Sequence, residues 1–256
     1  MSLDEFTSQQ WEKVWDSSVL TYDPAADPGL RDSLALIRRF WGSPAGRFLE
    51  AGCGPAANAL QLAQEGVAVA GVDLSHTALQ SAEVAFAERG LSGDFVLGDV
   101  RELPFPDESF DFVYAGGVVE HFRETDRAVI EMTRVLQPRG RLLLTAPTLT
   151  LSYPYLFLRG NVPAVPVVED VVSFLQFRAL RGRLATFGYE RSFRPRRIRR
   201  FLQEAGLTSI DVQRFDPFLP LLQLPSSFRP AARRLARTTL FAPMYYGTGV
   251  KPGNSE

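Results

Sequence analysis

A glycine-rich turn near residue 50 has one carboxylate just before it and a second at the end of the next apolar run. This spacing suits a nucleotide-like cofactor. A short apolar run ends at Glu50, and the turn Gly52-Cys53-Gly54 follows almost at once. A second apolar run ends at Asp73, nineteen residues after Gly54. Glycines let the backbone approach a ligand closely, and a carboxylate after the next strand accepts hydrogen bonds from ribose hydroxyls. The pattern therefore predicts strand, turn, helix and strand with a cofactor at the turn.

Two kinds of cofactor compete for this layout. Gly52, Gly54 and Ala57 also satisfy the dinucleotide fingerprint in its Gly/Ala form. Glu50 argues against a dinucleotide, because a carboxylate at the turn repels a pyrophosphate. It favours S-adenosylmethionine, which carries a cationic sulfonium and an amino group. The two lysines, Lys13 and Lys251, lack the Tyr-x-x-x-Lys spacing of short-chain dehydrogenases, which disfavours hydride transfer.

From this turn onward the chain resembles the class I S-adenosylmethionine-dependent methyltransferases. Glu50–Ala56 is similar to that family's acid-x-Gly-x-Gly-x-Gly motif, with Ala56 in place of the last glycine. Three further segments follow in the family's order and resemble its third strand, its fourth strand with the next loop, and its helix, turn and fifth strand. These segments are 95–100, 109–122 and 136–144.

The resemblance implies S-adenosylmethionine as the cofactor and assigns residues to it. Asp73 would bind the ribose, Asp99 the adenine amino group, and Val100 would lie beside the adenine ring. The cofactor-binding residues implied in this way are Glu50, Gly52, Cys53, Gly54, Asp73, Leu74, Asp99, Val100 and Gly116.

His121 is the candidate catalytic residue. Methyl transfer depends mainly on positioning the two reactants, with a base to remove a proton where the acceptor requires it. His121 lies in the loop after the fourth predicted strand, and an imidazole suits a base near neutral pH. The alternative is that Glu120-His121 only shapes the cofactor pocket. No metal site is expected, since a structural zinc site needs about four Cys or His ligands and the chain has one Cys and two His.

Composition predicts one cytoplasmic domain. The chain has 256 residues, of which 45% are hydrophobic, which is enough for a full core. Its first residues form neither a basic nor an apolar leader, and no apolar run reaches the roughly 18 residues of a membrane span. A single cysteine excludes an internal disulfide and fits a reducing compartment.

Alternating helical and strand patterns predict an α/β fold with a doubly wound, Rossmann-like, mostly parallel sheet. The resemblance adds an antiparallel last strand. The aromatic and proline-rich stretch 148–192 fits the alternation poorly. It is interpreted as a lid over an apolar pocket, with a helix near 171–180. The alternative is that its aromatic residues belong to the core or to a dimer contact. The predicted division is a helical cap (1–44), a cofactor-binding core (45–147), a lid insertion (148–192) and the C-terminal part of the core (193–256).

Charge divides the chain into two halves. Residues 1–150 hold 12 basic and 22 acidic residues, a net charge of −10, whereas residues 151–256 hold 16 and 7, a net charge of +9. The basic residues concentrate between Arg191 and Arg200. This cluster indicates a solvated helix face, or a patch for an anionic substrate or acidic membrane surface. It lacks the interleaved aromatic residues of a nucleic-acid binder, which disfavours that partner.

The sequence thus predicts a methyltransferase that acts on an oxygen or nitrogen of a small or lipid-like acceptor. The basic cluster adds the possibility that this acceptor is anionic. The predicted oligomeric state is a monomer or a homodimer. Two alternatives stay open. One is a cofactor-binding regulatory or assembly protein without transfer activity. The other is a peripheral-membrane methyltransferase, suggested by the apolar run 218–222 and the arginine-containing segment 228–240.

Overall fold

The computed structural model describes residues 3–17, 22–42, 46–148, 191–215, 227–228, 230–231, 234, 238 and 244–253. Helices and strands alternate along these ranges. The helices are α1 Leu3–Ser17, α2 Pro28–Trp41, α3 Ala57–Gln64, α4 His76–Ala87, α5 Thr125–Arg134 and α6 Pro195–Glu204. The strands are β1 Arg47–Ala51, β2 Ala68–Asp73, β3 Asp94–Leu97, β4 Phe110–Gly116, β5 Leu136–Pro147, β6 Thr208–Phe215 and β7 Met244–Val250.

The strands form one seven-stranded sheet in the order β3-β2-β1-β4-β5-β7-β6. Strands β1 to β5 pair in parallel, and β7 runs antiparallel to both β5 and β6. The predicted doubly wound, mostly parallel sheet with an antiparallel last strand is therefore confirmed. Because the strand order reverses between β1 and β4, the carboxyl ends of these two strands border a crevice, where ligands of such sheets bind.

A hydrophobic core covers each face of the sheet. On one face, buried residues of α5 and α6, among them Met132, Ile198 and Phe201, pack against the strands. On the other face, α2, α3 and α4 bury residues such as Leu34 and Leu60. The two cores hold the strand ends in fixed register, so that side chains at the carboxyl edge have defined positions.

Local sequence explains where the flanking helices begin and end. Asp27 caps α2, because its Oδ1 accepts hydrogen bonds from Gly29 N (2.8 Å) and Leu30 N (3.2 Å), and Pro28 occupies the first turn. Gly42, with φ of 73°, follows the last helical residue. In the same way Pro195 opens α6, and Gly206, with φ of 81°, lies beyond its end.

One predicted boundary differs from the structure. The segment 136–144 was expected to turn at Pro138–Gly140 before its strand, but β5 already begins at Leu136. Leu136 pairs with Phe110, and an irregularity between Phe110 and Phe112 absorbs the extra residues of the turn. The predicted helix near 171–180 and nearly all of the predicted lid lie outside the described residues, so the lid remains a prediction.

The helices in the described part of the chain are short, and the longest, α1, has 15 residues. None of them combines the length and the hydropathy that crossing a bilayer requires.

Candidate functional site

The glycine turn between β1 and α3 has no room for a side chain at Gly52 or at Gly54. Gly52 and Gly54 have φ of 68° and 50°, a region that favours glycine. A Cβ atom at Gly52 would lie 2.5 Å from the side chain of Val118, and one at Gly54 would lie 2.6 Å from that of Trp15. Ala56, which replaces the family's last glycine, is also left-handed (φ 56°) and precedes α3. The turn therefore presents bare backbone at the carboxyl edge of the sheet.

Glu50 lies at the end of β1 and is buried, with 5% of its surface exposed. Its Oε1 accepts a hydrogen bond from Asn58 Nδ2 (2.7 Å), and its Oε2 accepts one from Ala59 N (2.9 Å) in the first turn of α3. Burial raises the pKa of this carboxyl to about 7, against the lowering effect of the two hydrogen bonds. Glu50 thus changes charge near neutral pH.

Asp73 joins the glycine turn to the end of β2. Its Oδ2 accepts a hydrogen bond from Gly54 N (2.7 Å), and its Oδ1 accepts one from Ser75 N (2.9 Å). Burial raises its pKa above the usual value, opposed by these backbone hydrogen bonds. Asp73 therefore orders the turn and also presents a carboxylate beside it.

A cavity of about 530 Å³ lies over the turn, within the range of small-molecule sites. It brings together nine of the ten residues that the sequence singled out. These are Glu50, Gly52, Cys53, Gly54, Asp73, Leu74, Val100, Gly116 and His121. The tenth, Asp99, does not line this cavity, and its carboxylate is bound by the guanidinium of Arg101. Its predicted contact with adenine stays a prediction.

His121 lies in a 3₁₀ turn after β4 and is 8% exposed. The Trp11 ring meets it edge to face, with 5.1 Å between ring centroids. Burial lowers the pKa of His121 to about 4, despite a hydrogen bond to the backbone of Gly117 that favours the charged form. The imidazole is therefore neutral at physiological pH, and its lowered pKa makes it a weak base.

A polar wall of the cavity could not be predicted from motifs. Ser33 Oγ in α2 donates to Asn58 Oδ1 (2.6 Å), and Asn58 in turn donates to Glu50. The Tyr114 hydroxyl shares hydrogen bonds with Ser33 and with Thr145. Glu50 and Tyr114 are register partners on β1 and β4, so this network follows from strand pairing rather than from any local sequence pattern.

Helix α1 supplies an aromatic wall that was also missed. Trp11 and Trp15 stack with their centroids 5.8 Å apart, and both line the cavity. Glu12, on the same helix, accepts hydrogen bonds from Ser75 Oγ (3.0 Å) and His76 N (2.7 Å), which fixes α1 to the start of α4. Two tryptophans four residues apart lie on one helix face, and this spacing was the available signal.

The chemistry of the lining fits S-adenosylmethionine. The described lining residues include three carboxylates, Asp27, Glu50 and Asp73, and no Lys or Arg. Such a set suits a cationic sulfonium and ribose hydroxyls, and it offers no cationic side chain to a pyrophosphate. The residues present therefore fit this cofactor and fit a dinucleotide poorly.

Comparison with protein families agrees with this geometry. Residues 49–144 match a family described as "Methyltransferase domain". These residues hold β1 to most of β5, including the glycine turn and the loop that carries His121.

Individual relatives point the same way. The chain is 35% identical over 125 residues to the methyltransferase GfsG of Streptomyces halstedii, which covers 48% of this chain and 45% of the relative. It is 42% identical over 101 residues to a phosphatidylethanolamine N-methyltransferase of Cereibacter sphaeroides, covering 39% of this chain and 49% of the relative. The chain thus spans about half the length of the curated relatives it matches.

A solved structure shares the fold. The phosphoethanolamine N-methyltransferase 2 of Haemonchus contortus, in complex with phosphomonomethylethanolamine and S-adenosylhomocysteine, superposes with a TM-score of 0.66 at 19% identity. The superposition covers 98% of this chain and 61% of that protein.

Proposed function

We propose that this chain, which carries a class I S-adenosylmethionine-dependent methyltransferase domain, is an enzyme that transfers a methyl group to an oxygen or nitrogen of a small or lipid-like acceptor. The observation that carries the proposal is the cavity over the glycine turn. It joins a glycine turn, the buried carboxyl group of Glu50, the half-buried carboxylate of Asp73 and a neutral histidine at the carboxyl edge of the sheet.

Different residues of the core would contact different parts of the cofactor. Asp73 would accept hydrogen bonds from the ribose hydroxyls, and Val100 would pack against the adenine. Glu50, when ionised, balances positive charge near the turn, and the polar wall of Asn58 and Ser33 holds its carboxylate in place. The cofactor itself would supply the methyl group, as an electrophile bonded to a sulfonium.

The chain's own contribution to the reaction is position and proton transfer. The walls formed by α1 and the polar network exclude water and orient the acceptor. His121, buried in the 3₁₀ turn after β4, would take the proton from an acceptor hydroxyl or ammonium as the methyl group is transferred. The proton moves to a ring nitrogen of His121, which returns it to water after transfer.

The acceptor group most compatible with the described lining is neutral or cationic, whatever charge the rest of the acceptor carries outside the cavity. Three carboxylates and several aromatic rings surround the cavity, so an amine is held by charge and by ring faces. The relative from Cereibacter sphaeroides is named for phosphatidylethanolamine. Ethanolamine-type amines are therefore the first acceptors to test, and phenolic acceptors the second.

The test is transfer of radiolabelled methyl from S-adenosylmethionine to a panel of phosphatidylethanolamine, phosphoethanolamine and a phenol. We expect label in one acceptor and an equal amount of S-adenosylhomocysteine. Binding of S-adenosylmethionine without label transfer to the panel or to a cell extract would instead favour the cofactor-binding regulatory protein. No binding at all would overturn the proposal.

A further inference from the structure

Arg101 contacts two loops that each contribute residues to the cavity lining. It follows Val100, which lines the cavity after β3, and its side chain is only 14% exposed. A long cationic side chain that is mostly buried needs partners that compensate for lost hydration. Its partners belong to both loops.

The first partner is Asp99, on the side assigned to adenine. Arg101 Nη2 donates to Asp99 Oδ2 (2.7 Å), and Nε lies 3.0–3.1 Å from both carboxylate oxygens. The backbone N of Arg101 also donates to Oδ1 (2.8 Å). One residue thus fixes the orientation of the carboxylate with a planar fork that lysine cannot reproduce.

The second set of partners belongs to the loop of His121. Arg101 Nη1 donates to Glu124 Oε2 (2.9 Å). Its guanidinium carbon lies 4.6 Å from the centre of the Phe122 ring, which is buried and lines the cavity. Phe122 follows His121 directly, so the guanidinium that orients Asp99 also packs on the side chain next to the imidazole.

We propose that Arg101 is a positioning residue that couples the cofactor loop (Asp99–Val100) to the acceptor loop (His121–Glu124). This inference rests on the proposed function, in which Val100 packs against the adenine, and on the contact of Asp99 with the adenine amino group that the sequence predicts. An adenine amino group that reaches Asp99 shares the carboxylate with the guanidinium. Binding of the cofactor therefore makes the loop of His121 and Phe122 more ordered, through Arg101.

The chain offers a matched control in Arg134. This arginine binds Glu131 and Asp107 and also donates to the carbonyls of Leu103 and Phe105, so it holds the segment that follows Arg101. None of these four partners lines the cavity. Arg134→Met therefore removes an equally well-bonded arginine without touching either of the two coupled loops.

The experiment measures S-adenosylhomocysteine binding by calorimetry and hydrogen exchange of residues 117–124 with and without that ligand. In the natural chain we expect the ligand to slow exchange in 117–124. In Arg101→Met we expect affinity to fall about tenfold, because a charged hydrogen-bond partner is lost. In the same variant, hydrogen exchange of residues 117–124 should stay fast even at saturating ligand. Arg134→Met should lower thermal stability but keep both ligand responses.

Other results would contradict either the coupling or the proposed function. If Arg101→Met keeps the natural affinity, and if saturating ligand still protects residues 117–124 in it, the coupling is absent and Arg101 only forms a structural ion pair. If Arg101→Met does not fold, Arg101→Lys takes its place and should lose protection of 117–124 while keeping the charge. If the natural chain does not bind S-adenosylhomocysteine, the proposed function fails, and the inference fails with it.

Discussion

At the level of single residues, Glu50 makes cofactor binding depend on pH. Its pKa of about 7 means that the carboxyl is protonated in mildly acidic solution. A cation that needs the carboxylate must then expel that proton, which costs about a tenfold loss of affinity per pH unit below 7. We expect affinity for S-adenosylmethionine to rise with pH and level off above 7.

Calorimetry across this pH range, in two buffers of different ionisation enthalpy, measures both the affinity and the protons released. Glu50→Gln is the control, because it cannot ionise, and its affinity should vary little with pH. An equally steep pH dependence in Glu50→Gln would show that another group is responsible.

His121 makes a second residue-level prediction. If it is the base, His121→Ala should cut turnover by about 10²–10⁴-fold and leave cofactor affinity nearly intact. Since its pKa is lowered to about 4, turnover should show no loss near pH 6.5, where an exposed imidazole titrates. Steady-state kinetics from pH 5 upward would measure this.

The control is His76→Ala, which removes the chain's other histidine, exposed at the start of α4. It should leave turnover unchanged. Small, parallel losses of turnover and cofactor affinity in His121→Ala would instead support the alternative in which Glu120-His121 only shapes the pocket.

Residues at the ends of strands could be predicted from the sequence, whereas their partners could not. Glu50 and Asp73 each end an apolar run, so strand geometry alone places them at one edge. Asn58 and Tyr114 reach Glu50 only through helix packing and cross-strand register, which no local pattern encodes. The arginine clamp on Asp99 was missed because side-chain pairing depends on rotamers.

At the level of elements, helix α1 closes the cavity and is fixed by Glu12. This carboxylate accepts hydrogen bonds from Ser75 Oγ, His76 N and Thr77 N at the start of α4. Glu12→Ala removes these bonds, so α1 should leave the site more often. We expect S-adenosylhomocysteine to dissociate about tenfold faster, as measured by stopped-flow tryptophan fluorescence.

Asp16→Ala is the matched control, since it removes the same charge from the same helix at an exposed position. Its dissociation rate should equal that of the natural chain. An unchanged rate in Glu12→Ala would show that α1 does not hold the ligand.

The elements predicted best were those with strong periodicity. Leu30, Leu34 and Ile37 recur at helical spacing, and α2 lies there with these residues buried. The antiparallel last strand that the resemblance implied lies at Met244–Val250. The role of α1 could not be read in this way, because it depends on Trp15 packing against Gly54, far away in sequence.

At the level of the whole molecule, basic charge collects on α6. Residues 191–215 hold seven arginines and two acids. Ile198, Phe201 and Leu202 are buried on one side of α6, and four exposed arginines occupy the other. Like charges three and four residues apart repel each other, and an anionic surface would relieve that repulsion. We therefore expect binding to vesicles that contain phosphatidylglycerol, weakened by salt.

Vesicle flotation measures this with two triple variants of equal charge change. The first replaces the α6 residues Arg196, Arg199 and Arg200 with Gln and should reduce binding strongly. The second makes the same change at exposed arginines elsewhere, Arg31, Arg38 and Arg127. Equal loss in both variants, or no flotation of the natural chain, would mean that the α6 face is only solvated.

The central claim is that the cavity over the glycine turn binds S-adenosylmethionine through Asp73, and calorimetric titration tests it most directly. We expect one-to-one binding of S-adenosylmethionine and of S-adenosylhomocysteine, and none of NAD. Asp73→Ala should weaken the binding by about 1.5–3 kcal/mol, because charged hydrogen bonds to ribose are lost. Asp94→Ala, an exposed acid on the same sheet, should bind like the natural chain. Binding of NAD, or unchanged affinity in Asp73→Ala, would contradict the account.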